Sequence, residues 1–269
     1  MKISYQKKIS YILIVTIRGI VLVFFLSNII MAQSLIKRQA SCELNGATAI
    51  STDQQCQHDR LLHVPSPQWP DQIIYFLMID RFNDGNNKNN DQGDNEYDPN
   101  NGAKFSGGDI QGIIKKIDYI QNLGATAVWI TPPVANQWWS HHRQYGGYHG
   151  YWAVDFKSID AHFGTVEDYQ LLSRELHSRG MYLIQDIVTN HTGNFFGYKG
   201  QYDLEDTLKN FILYENKQSA QTAPTQYPFN FIDRRNPEAV KENIYHWTPE
   251  ITDYQDESQT LTYQLSGLA

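Results

Sequence analysis

The sequence predicts an α/β fold built on a parallel sheet. Three short apolar runs alternate with two stretches whose apolar residues recur at helical spacing, and long polar loops separate them. Unbroken apolar runs are typical of strands buried on both faces, and this alternating order is typical of a parallel sheet. A (β/α)8 barrel has eight such units in about 250 residues and places its active site on the loops that follow the strands. With two units and a third strand, the chain is either a small three-stranded α/β unit or part of a barrel.

The first strand is predicted at Ile73–Ile79, after a proline-rich stretch at residues 61–71 that marks the entry to a domain. A polar loop rich in Asn, Asp and Gly then leads to a helix over residues 110–123. Its isoleucines recur at helical spacing, and Gly124 lies where a C-terminal cap belongs. The second strand is predicted at Ala125–Thr131, where two prolines end it.

The second helix is predicted to begin at residues 165–168, whose Thr and Asp have the spacing of a capping box. Its apolar face consists of Val166, Tyr169, Leu172 and Leu176. Gly180 ends this helix, and Met181–Val188 is the third predicted strand. Residues 190–269 contain no further strand–helix pattern and are predicted to be a long, irregular excursion after that strand.

The composition of the chain argues against some classes of partner and is compatible with sugar binding. The chain is 41% hydrophobic and carries a net charge of -7, which is ordinary for a globular protein and argues against nucleic acid or an anionic membrane as the main partner. It also contains 17 Tyr and 6 Trp. Aromatic rings stack on the apolar faces of sugars, although most aromatic residues in a soluble chain belong to its core.

Residues 1–32 are predicted to be a leader. Three lysines precede an apolar stretch over residues 11–32, which is typical of a signal peptide cleaved after that stretch. A signal anchor is the alternative, because the stretch approaches the roughly 20 residues that span a bilayer. Arg18 in its middle favours cleavage, so the protein is expected to be secreted.

Two cysteines follow the leader. In an oxidising compartment Cys42 and Cys56 are expected to pair, closing a short loop worth about 3 kcal/mol in the chain-entropy model. The alternative is two unpaired thiols. Both cysteines lie in a lead-in of residues 33–70, which precedes the strands and helices of residues 71–190 and the excursion of residues 191–269.

The first candidate site is a metal loop, Asp80–Asn90 together with Gly107–Asp109. Calcium binds six to eight oxygens from carboxylates, amides and backbone carbonyls, and this loop supplies all three. The alternative is a solvated turn cluster, which composition alone favours because Asn, Asp and Gly are the usual turn residues.

Two further segments are candidates for ligand binding. Tyr148–Phe156 places an imidazole, a phenol and an indole together, which suits either a sugar pocket or a buried aromatic hairpin. Asp186–His191 ends the third strand, where side chains of a barrel point into the active site. His141 and His142 lack a third metal ligand at a suitable spacing and are interpreted as loop residues.

These segments together resemble the α-amylase superfamily, glycoside hydrolase family thirteen. Asp186–His191 resembles the first of its shared short regions, while Asp80–Asn90, Gly107–Asp109 and Tyr148–Trp152 are similar to segments of cyclodextrin glucanotransferases and related amylases. The resemblance covers residues 70–200 well and later residues loosely. It implies the N-terminal part of a (β/α)8 barrel, strands one to three, with the excursion corresponding to domain B.

The resemblance also implies site residues. One calcium ion would be held by Asp84, Asn86, Asn89, Asn90, Gly107 and Asp109, the glycine through its carbonyl oxygen. Asn190 would bind a second calcium ion. The glucose subsite next to the cleaved bond would be lined by His149, Tyr151, Trp152, Asp186 and His191. Tyr151 would stack under the sugar, His149 and His191 would hydrogen-bond its hydroxyls, and Asp186 would support the framework.

The implied function is a secreted hydrolase of α-1,4-glucans (starch and maltooligosaccharides) that retains the anomeric configuration through an Asp nucleophile and a Glu acid/base. In the family these carboxylates lie on later strands, beyond Ala269, so we expect no catalytic residue here and an inactive 269-residue chain. The alternative is a non-catalytic, amylase-like secreted fragment that at most binds glucan or calcium. The expected partner is an α-glucan, with no nucleic acid, no membrane after leader cleavage, and a monomeric state.

Overall fold

The structure is a computed structural model and describes residues 61–214 and 223–263. The predicted leader and the predicted Cys42–Cys56 disulfide lie outside the described residues. Within them, no helix is long and apolar enough to cross a membrane. A single 3-10 turn at Trp69–Asp71 precedes the first strand.

The elements of the described part follow in chain order. The strands are β1 Ile74–Leu77, β2 Ala127–Ile130, β3 Val134–Asn136, β4 Trp139–Ser140, β5 Tyr145–Gly146, β6 Ala153–Ile159, β7 Tyr182–Gln185, β8 Phe196–Tyr198 and β9 Phe211–Leu213. The helices are α1 Ile79–Phe82, α2 Ile110–Lys115, α3 Ile117–Asn122, α4 Val166–Ser178, α5 Pro237–Glu242 and α6 Glu257–Thr262.

The three predicted strands form one parallel sheet of order β1–β2–β7 among the described residues. In register, Tyr75 lies opposite Val128, and Val128 lies opposite Leu183. Each strand is shorter than predicted, and the first ends at Leu77 because the chain turns into α1 at Ile79. Since the strands are parallel, their carboxyl ends lie at one edge of the sheet.

The helices cover one face of this sheet. The isoleucines of α2 and α3 and the leucines of α4 pack with Leu77, Val128 and Ile130 in one apolar cluster. The single helix predicted over residues 110–123 is two helices, because the backbone leaves helical geometry at Lys116. The capping box of α4 is confirmed, since the side chains of Thr165 and Asp168 each accept a hydrogen bond from the other's backbone N–H.

The prediction that the first two strands are buried on both faces is wrong for the described part of the chain. Ile74, Phe76 and Trp129 are 47%, 51% and 39% exposed, whereas Leu77 and Val128 are buried. The strand pleat sends alternate side chains to opposite faces, and the helices cover only one of them. Phe76 and Trp129 pack edge to face on the uncovered side, with their ring centroids 5.0 Å apart.

Within residues 191–214 and 223–263 the chain adds no strand to the parallel sheet, as the sequence predicts. Instead β8 and β9 form an antiparallel pair. This pair has an apolar cluster of its own, formed by Phe196, Phe211, Ala239, Tyr245 and Trp247. The described part of the excursion therefore contains more regular structure than its short apolar patches indicate.

Candidate functional site

A tyrosine and an aspartate meet at the carboxyl edge of the sheet. Asp186 immediately follows β7, and its carboxylate accepts a hydrogen bond of 2.9 Å from the hydroxyl of Tyr151. Burial, followed by this contact with Asp186, raises the pKa of Tyr151 to about 12. The phenol therefore stays protonated at neutral pH and donates to the carboxylate. Two of the predicted sugar-binding residues, 35 positions apart, are thus brought together.

His149 adjoins this pair as a neutral imidazole. Its Nδ1 accepts a hydrogen bond of 3.0 Å from the backbone N–H of Tyr151. Burial, and then the nearby His191, lowers the pKa of His149 to about 4. A neutral imidazole that accepts at Nδ1 carries its proton on Nε2, so that nitrogen is a hydrogen-bond donor. The Trp152 ring lies edge-on to the His149 ring, with the centroids 4.7 Å apart.

A glycine makes the tight turn that holds these side chains. Gly150 has φ +87°, and a Cβ at this position would lie 2.3 Å from the carbonyl oxygen of Pro132. Only glycine adopts this conformation and this close approach without strain. The turn therefore brings Gly150 against Pro132, which lies in the chain that leaves β2, and places His149 and Tyr151 on either side of this contact.

The other predicted members of the site lie nearby on the chain. Trp152 is half-buried, and its backbone N–H donates to Asn136 Oδ1 at 2.7 Å. His191 is half-buried and close enough to His149 to influence its pKa. Asn190, the predicted ligand of a second calcium ion, is exposed. Its role stays a prediction.

The metal loop is folded around Asp109, which is buried. Its carboxylate caps α2 by accepting from Gly112 N–H at 2.5 Å, and it also accepts from Gly85 N–H at 3.1 Å and Asn86 N–H at 2.7 Å. Burial, opposed by these hydrogen bonds and reinforced by the nearby Asp84 carboxylate, raises the pKa of Asp109. Asp109 therefore stabilises the fold of the loop through these hydrogen bonds, whereas the sequence predicts it only as a calcium ligand.

Two amide oxygens of the same loop have no partner in the part of the chain that the structure describes. Asn89 Oδ1 and Asn90 Oδ1 are buried and accept no hydrogen bond from these residues. Their amide nitrogens are engaged, Asn89 Nδ2 with the carbonyl oxygen of His162 at 2.9 Å and Asn90 Nδ2 with Asp84 Oδ2 at 2.7 Å. Buried acceptors without a donor are costly, and a cation is one partner that satisfies them.

The donor chemistry of this loop fits calcium. Among the described residues, no group of three or more His, Cys, Asp or Glu side chains could hold a metal ion. The predicted calcium ligands are mostly amide and carbonyl oxygens, with two carboxylates, which is a set that hard cations bind. Gly107 adjoins one of the unpartnered oxygens, because a Cβ there would lie 3.0 Å from Asn90 Oδ1.

An ion pair between the buried Asp80 and the exposed Arg81 links the metal loop to Tyr148, the first residue of the Tyr148–Phe156 segment. The carboxylate of Asp80 accepts from the N–H groups of Ser106 at 2.9 Å and Gly107 at 3.2 Å, and pairs with Arg81 Nε at 2.9 Å. Arg81 in turn lies over the ring of Tyr148, 3.8 Å from its centroid. Burial raises the pKa of Asp80 to about 6. The sequence signal for this residue was its position just after the first strand.

A cavity of about 590 Å³ lies elsewhere, between residues 94–104 and the β4–β5 hairpin. Trp139 forms part of its wall, and Lys104 Nζ lies 5.6 Å from the centroid of the Trp139 ring. None of the predicted sugar-binding residues lines this cavity. The candidate site is therefore described by its hydrogen bonds and by the edge-on contact between Trp152 and His149.

Comparison with known proteins shows which family this chain belongs to. The family model described as alpha amylase, catalytic domain, matches residues 76–257, which is more than half of the chain. The chain belongs to the α-amylase family. It corresponds to the N-terminal part of the catalytic domain, and it therefore contains part of that family's (β/α)8 barrel.

Individual members of the α-amylase family show the same relationship. A cyclomaltodextrin glucanotransferase of Klebsiella oxytoca is 35% identical over 202 residues, which cover 74% of this chain and 28% of the relative. An α-amylase of Saccharomycopsis fibuligera is 43% identical over 129 residues, covering 47% of this chain and 24% of the relative. The crystal structure of an Anoxybacillus α-amylase matches with a TM-score of 0.51 and 34% identity, over 76% of this chain and 35% of that one. The chain thus spans about a third or less of these relatives.

Proposed function

We propose that this chain is part of a secreted glycoside hydrolase that acts on α-1,4-glucans, such as starch and maltooligosaccharides, with retention of configuration. Membership of the α-amylase family supports the reaction class. The observation that carries the proposal is the hydrogen bond between Tyr151 and Asp186 beside a neutral His149. The proposed glucose-binding residues are His149, Tyr151, Trp152, Asp186 and His191.

The contacts of this cluster suit a neutral sugar. The Tyr151 hydroxyl is already engaged by Asp186, so we propose that this residue contacts glucose through its ring face. His149 donates from Nε2 to a sugar hydroxyl. Because its imidazole is neutral, no buried positive charge opposes the binding of an uncharged ligand.

We propose calcium as the ion of the metal loop. The ligands would come from Asp84, Asn86, Asn89, Asn90, Gly107 and Asp109, and Asn190 would serve a second ion. The unpartnered oxygens of Asn89 and Asn90 support the first site. Bound calcium would fix the loop that leaves β1 and thereby stabilise the fold.

We also propose that the 269-residue chain binds glucan without cleaving it. Retaining hydrolysis needs a nucleophilic carboxylate and a second carboxyl group about 5 Å away. Asp186 at the strand end is committed to Tyr151, and we assign it a supporting role rather than a chemical one. Release of reducing sugar from soluble starch by the purified chain, above a heat-treated blank, would contradict this assignment.

The binding proposal is tested by titrating the 269-residue chain with maltoheptaose while recording tryptophan fluorescence. We expect a saturable change, no change with cellohexaose, and loss of the response in Tyr151→Ala. The matched control is Tyr119→Ala, which removes an exposed tyrosine of α3 that is not among the proposed glucose-binding residues. Equal responses of the two variants, or of the two sugars, would refute the proposed site.

Secretion is tested by expressing the chain in a eukaryotic host and determining the N-terminus of the product. We propose cleavage after the apolar stretch of residues 11–32, so the mature chain should be recovered from the medium. Retention of the uncleaved chain in the membrane fraction would instead support a signal anchor.

A further inference from the structure

A histidine is held between two carboxylates in the interior of the protein. His162 Nε2 lies 3.1 Å from Glu96 Oε1, and its Nδ1 lies 2.8 Å from Asp160 Oδ1. The three side chains are at most 1% exposed. Carboxylate oxygens only accept hydrogen bonds, so both ring nitrogens of His162 donate and the ring is an imidazolium. Burial lowers the pKa of His162, but the hydrogen bonds to Asp160 and Glu96 together outweigh it and raise the pKa to about 9.

The orientation of the imidazolium is fixed from several directions. The ring of Phe105 stacks on it with a centroid distance of 3.8 Å and an interplanar angle of 13°, and Trp138 contacts it edge-on. Asp160 Oδ2 also accepts from the N–H of Asn136 in β3, at 2.7 Å. The ring therefore cannot turn without breaking buried contacts on both of its sides.

Glu96 connects this triad to the metal loop. Its carboxylate accepts backbone N–H groups from Gln92 and, at 2.7 Å, from Asp94. Gln92 in turn donates from Nε2 to the carbonyl oxygen of Asn89 at 2.8 Å. Residues 89–96 are thus folded around one carboxylate, which the imidazolium neutralises.

The backbone of the same histidine orients a proposed calcium ligand. Asn89 Nδ2 donates to the carbonyl oxygen of His162 at 2.9 Å. An amide group is planar, so fixing its nitrogen also fixes its oxygen. The Asn89 oxygen is the buried one that lacks a partner. His162 therefore acts on Asn89 in two ways. The backbone carbonyl of His162 accepts from the Asn89 amide, and the His162 ring holds the loop around Asn89 through Glu96.

We propose that His162, locked between Glu96 and Asp160, is a positioning residue that sets the Asn89 amide oxygen of the metal loop for a calcium ion. This inference rests on the calcium site proposed above. It adds His162, which is 73 positions from Asn89 and is not itself among the proposed calcium ligands. Partners that orient metal ligands in this way typically change metal affinity by about 10–100-fold when they are replaced.

The test is calorimetric titration of the chelator-treated 269-residue chain with calcium chloride. We expect His162→Gln to weaken binding by about tenfold, because a glutamine amide cannot donate to both carboxylates with the geometry of the ring. The control is Leu172→Ala in α4, a buried core residue outside the triad and the loop. It should lower the melting temperature in chelator yet leave the calcium dissociation constant unchanged.

A second variant covers the case in which His162→Gln does not fold. Phe105→Leu removes the ring stacked on His162 and keeps every proposed ligand, so it should weaken calcium binding in the same direction but less. If the unaltered chain binds calcium and both variants bind it equally well, the positioning role is refuted while the calcium site stands. If the unaltered chain gives no heat and no rise in melting temperature, the calcium proposal fails and the inference fails with it.

Discussion

Replacement of Asp109 separates its structural role from its proposed role as a metal ligand. The structure gives this buried carboxylate three backbone N–H partners without any metal ion: the cap of α2 at Gly112, and the loop residues Gly85 and Asn86. The chain is therefore expected to lose stability in Asp109→Ala even in the presence of a chelator, when no calcium can be bound.

The size of the loss follows from these contacts. Removing a helix N-cap costs about 0.5–2 kcal/mol, and each hydrogen bond to a charged group contributes about 1.5–3 kcal/mol. The sum is about 4–8 kcal/mol. Two effects reduce this sum. Burial makes the charged form of Asp109 less favourable, which also raises its pKa, and the freed N–H groups of half-buried Gly85 and Asn86 can form hydrogen bonds to water. We therefore expect a net loss of about 3–5 kcal/mol. Asp109→Asn keeps one acceptor and should lose about 1–2 kcal/mol.

The assay is urea denaturation followed by circular dichroism in chelator, with Asp84→Ala as the control. Asp84 belongs to the same loop but is exposed and accepts one hydrogen bond, from Asn90, so its replacement should cost about 0.5–1 kcal/mol. The structural role of Asp109 would be refuted if, in chelator, the free energy of unfolding of Asp109→Ala equalled that of the unaltered chain. It would also be refuted if Asp109→Ala lost no more stability than Asp84→Ala.

Three further predictions concern the candidate glucose site. Gly150→Ala should lower the melting temperature far more than Gly124→Ala, because both glycines have positive φ but only the first would place a Cβ 2.3 Å from a carbonyl oxygen; thermal unfolding of both variants compares them. Folding lowers the pKa of His149 to about 4, so the folded chain protonates this imidazole less readily than the unfolded chain does. The stability that neutral His149 contributes, about 3 kcal/mol, should be present above about pH 6.5 and be lost as the pH falls through 4. In denaturation experiments between about pH 4 and 7, the free energy of unfolding of His149→Gln should therefore depend less on pH than that of the unaltered chain. Tyr151→Phe should destabilise the chain by about 1–2 kcal/mol in urea denaturation, because Asp186 loses its 2.9 Å hydrogen bond; an unchanged midpoint would show that this bond contributes nothing.

Local patterns in the sequence predicted the elements well. The capping box of Thr165 and Asp168 depends on residues three apart, and the predicted helix begins where the structure has it. The break at Lys116 was missed because the isoleucines keep their helical spacing across it. Among the described residues, the prediction that the first strand is buried on both faces is wrong, because an apolar run shows that both faces are hydrophobic but not which of them is covered.

The candidate site was predictable in its residue types but not in its contacts. Tyr151 and Asp186 could be named from their motifs, yet their hydrogen bond joins positions 35 apart and needs the fold. Asp109 was recognised for its oxygens, although its position just before α2 also marks a helix N-cap. Glu96 and His162, 66 residues apart, leave no local signal that they meet.

The most direct test of the proposed glucose site is hydrogen–deuterium exchange of the 269-residue chain with and without maltoheptaose. We predict that the sugar slows exchange in two segments, residues 148–152 and residues 186–191, which hold the cluster around His149, Tyr151 and Asp186. Exchange in residues 103–104 and 139–144, beside the separate cavity, should stay unchanged. Protection confined to that cavity, or no protection anywhere, would contradict the account.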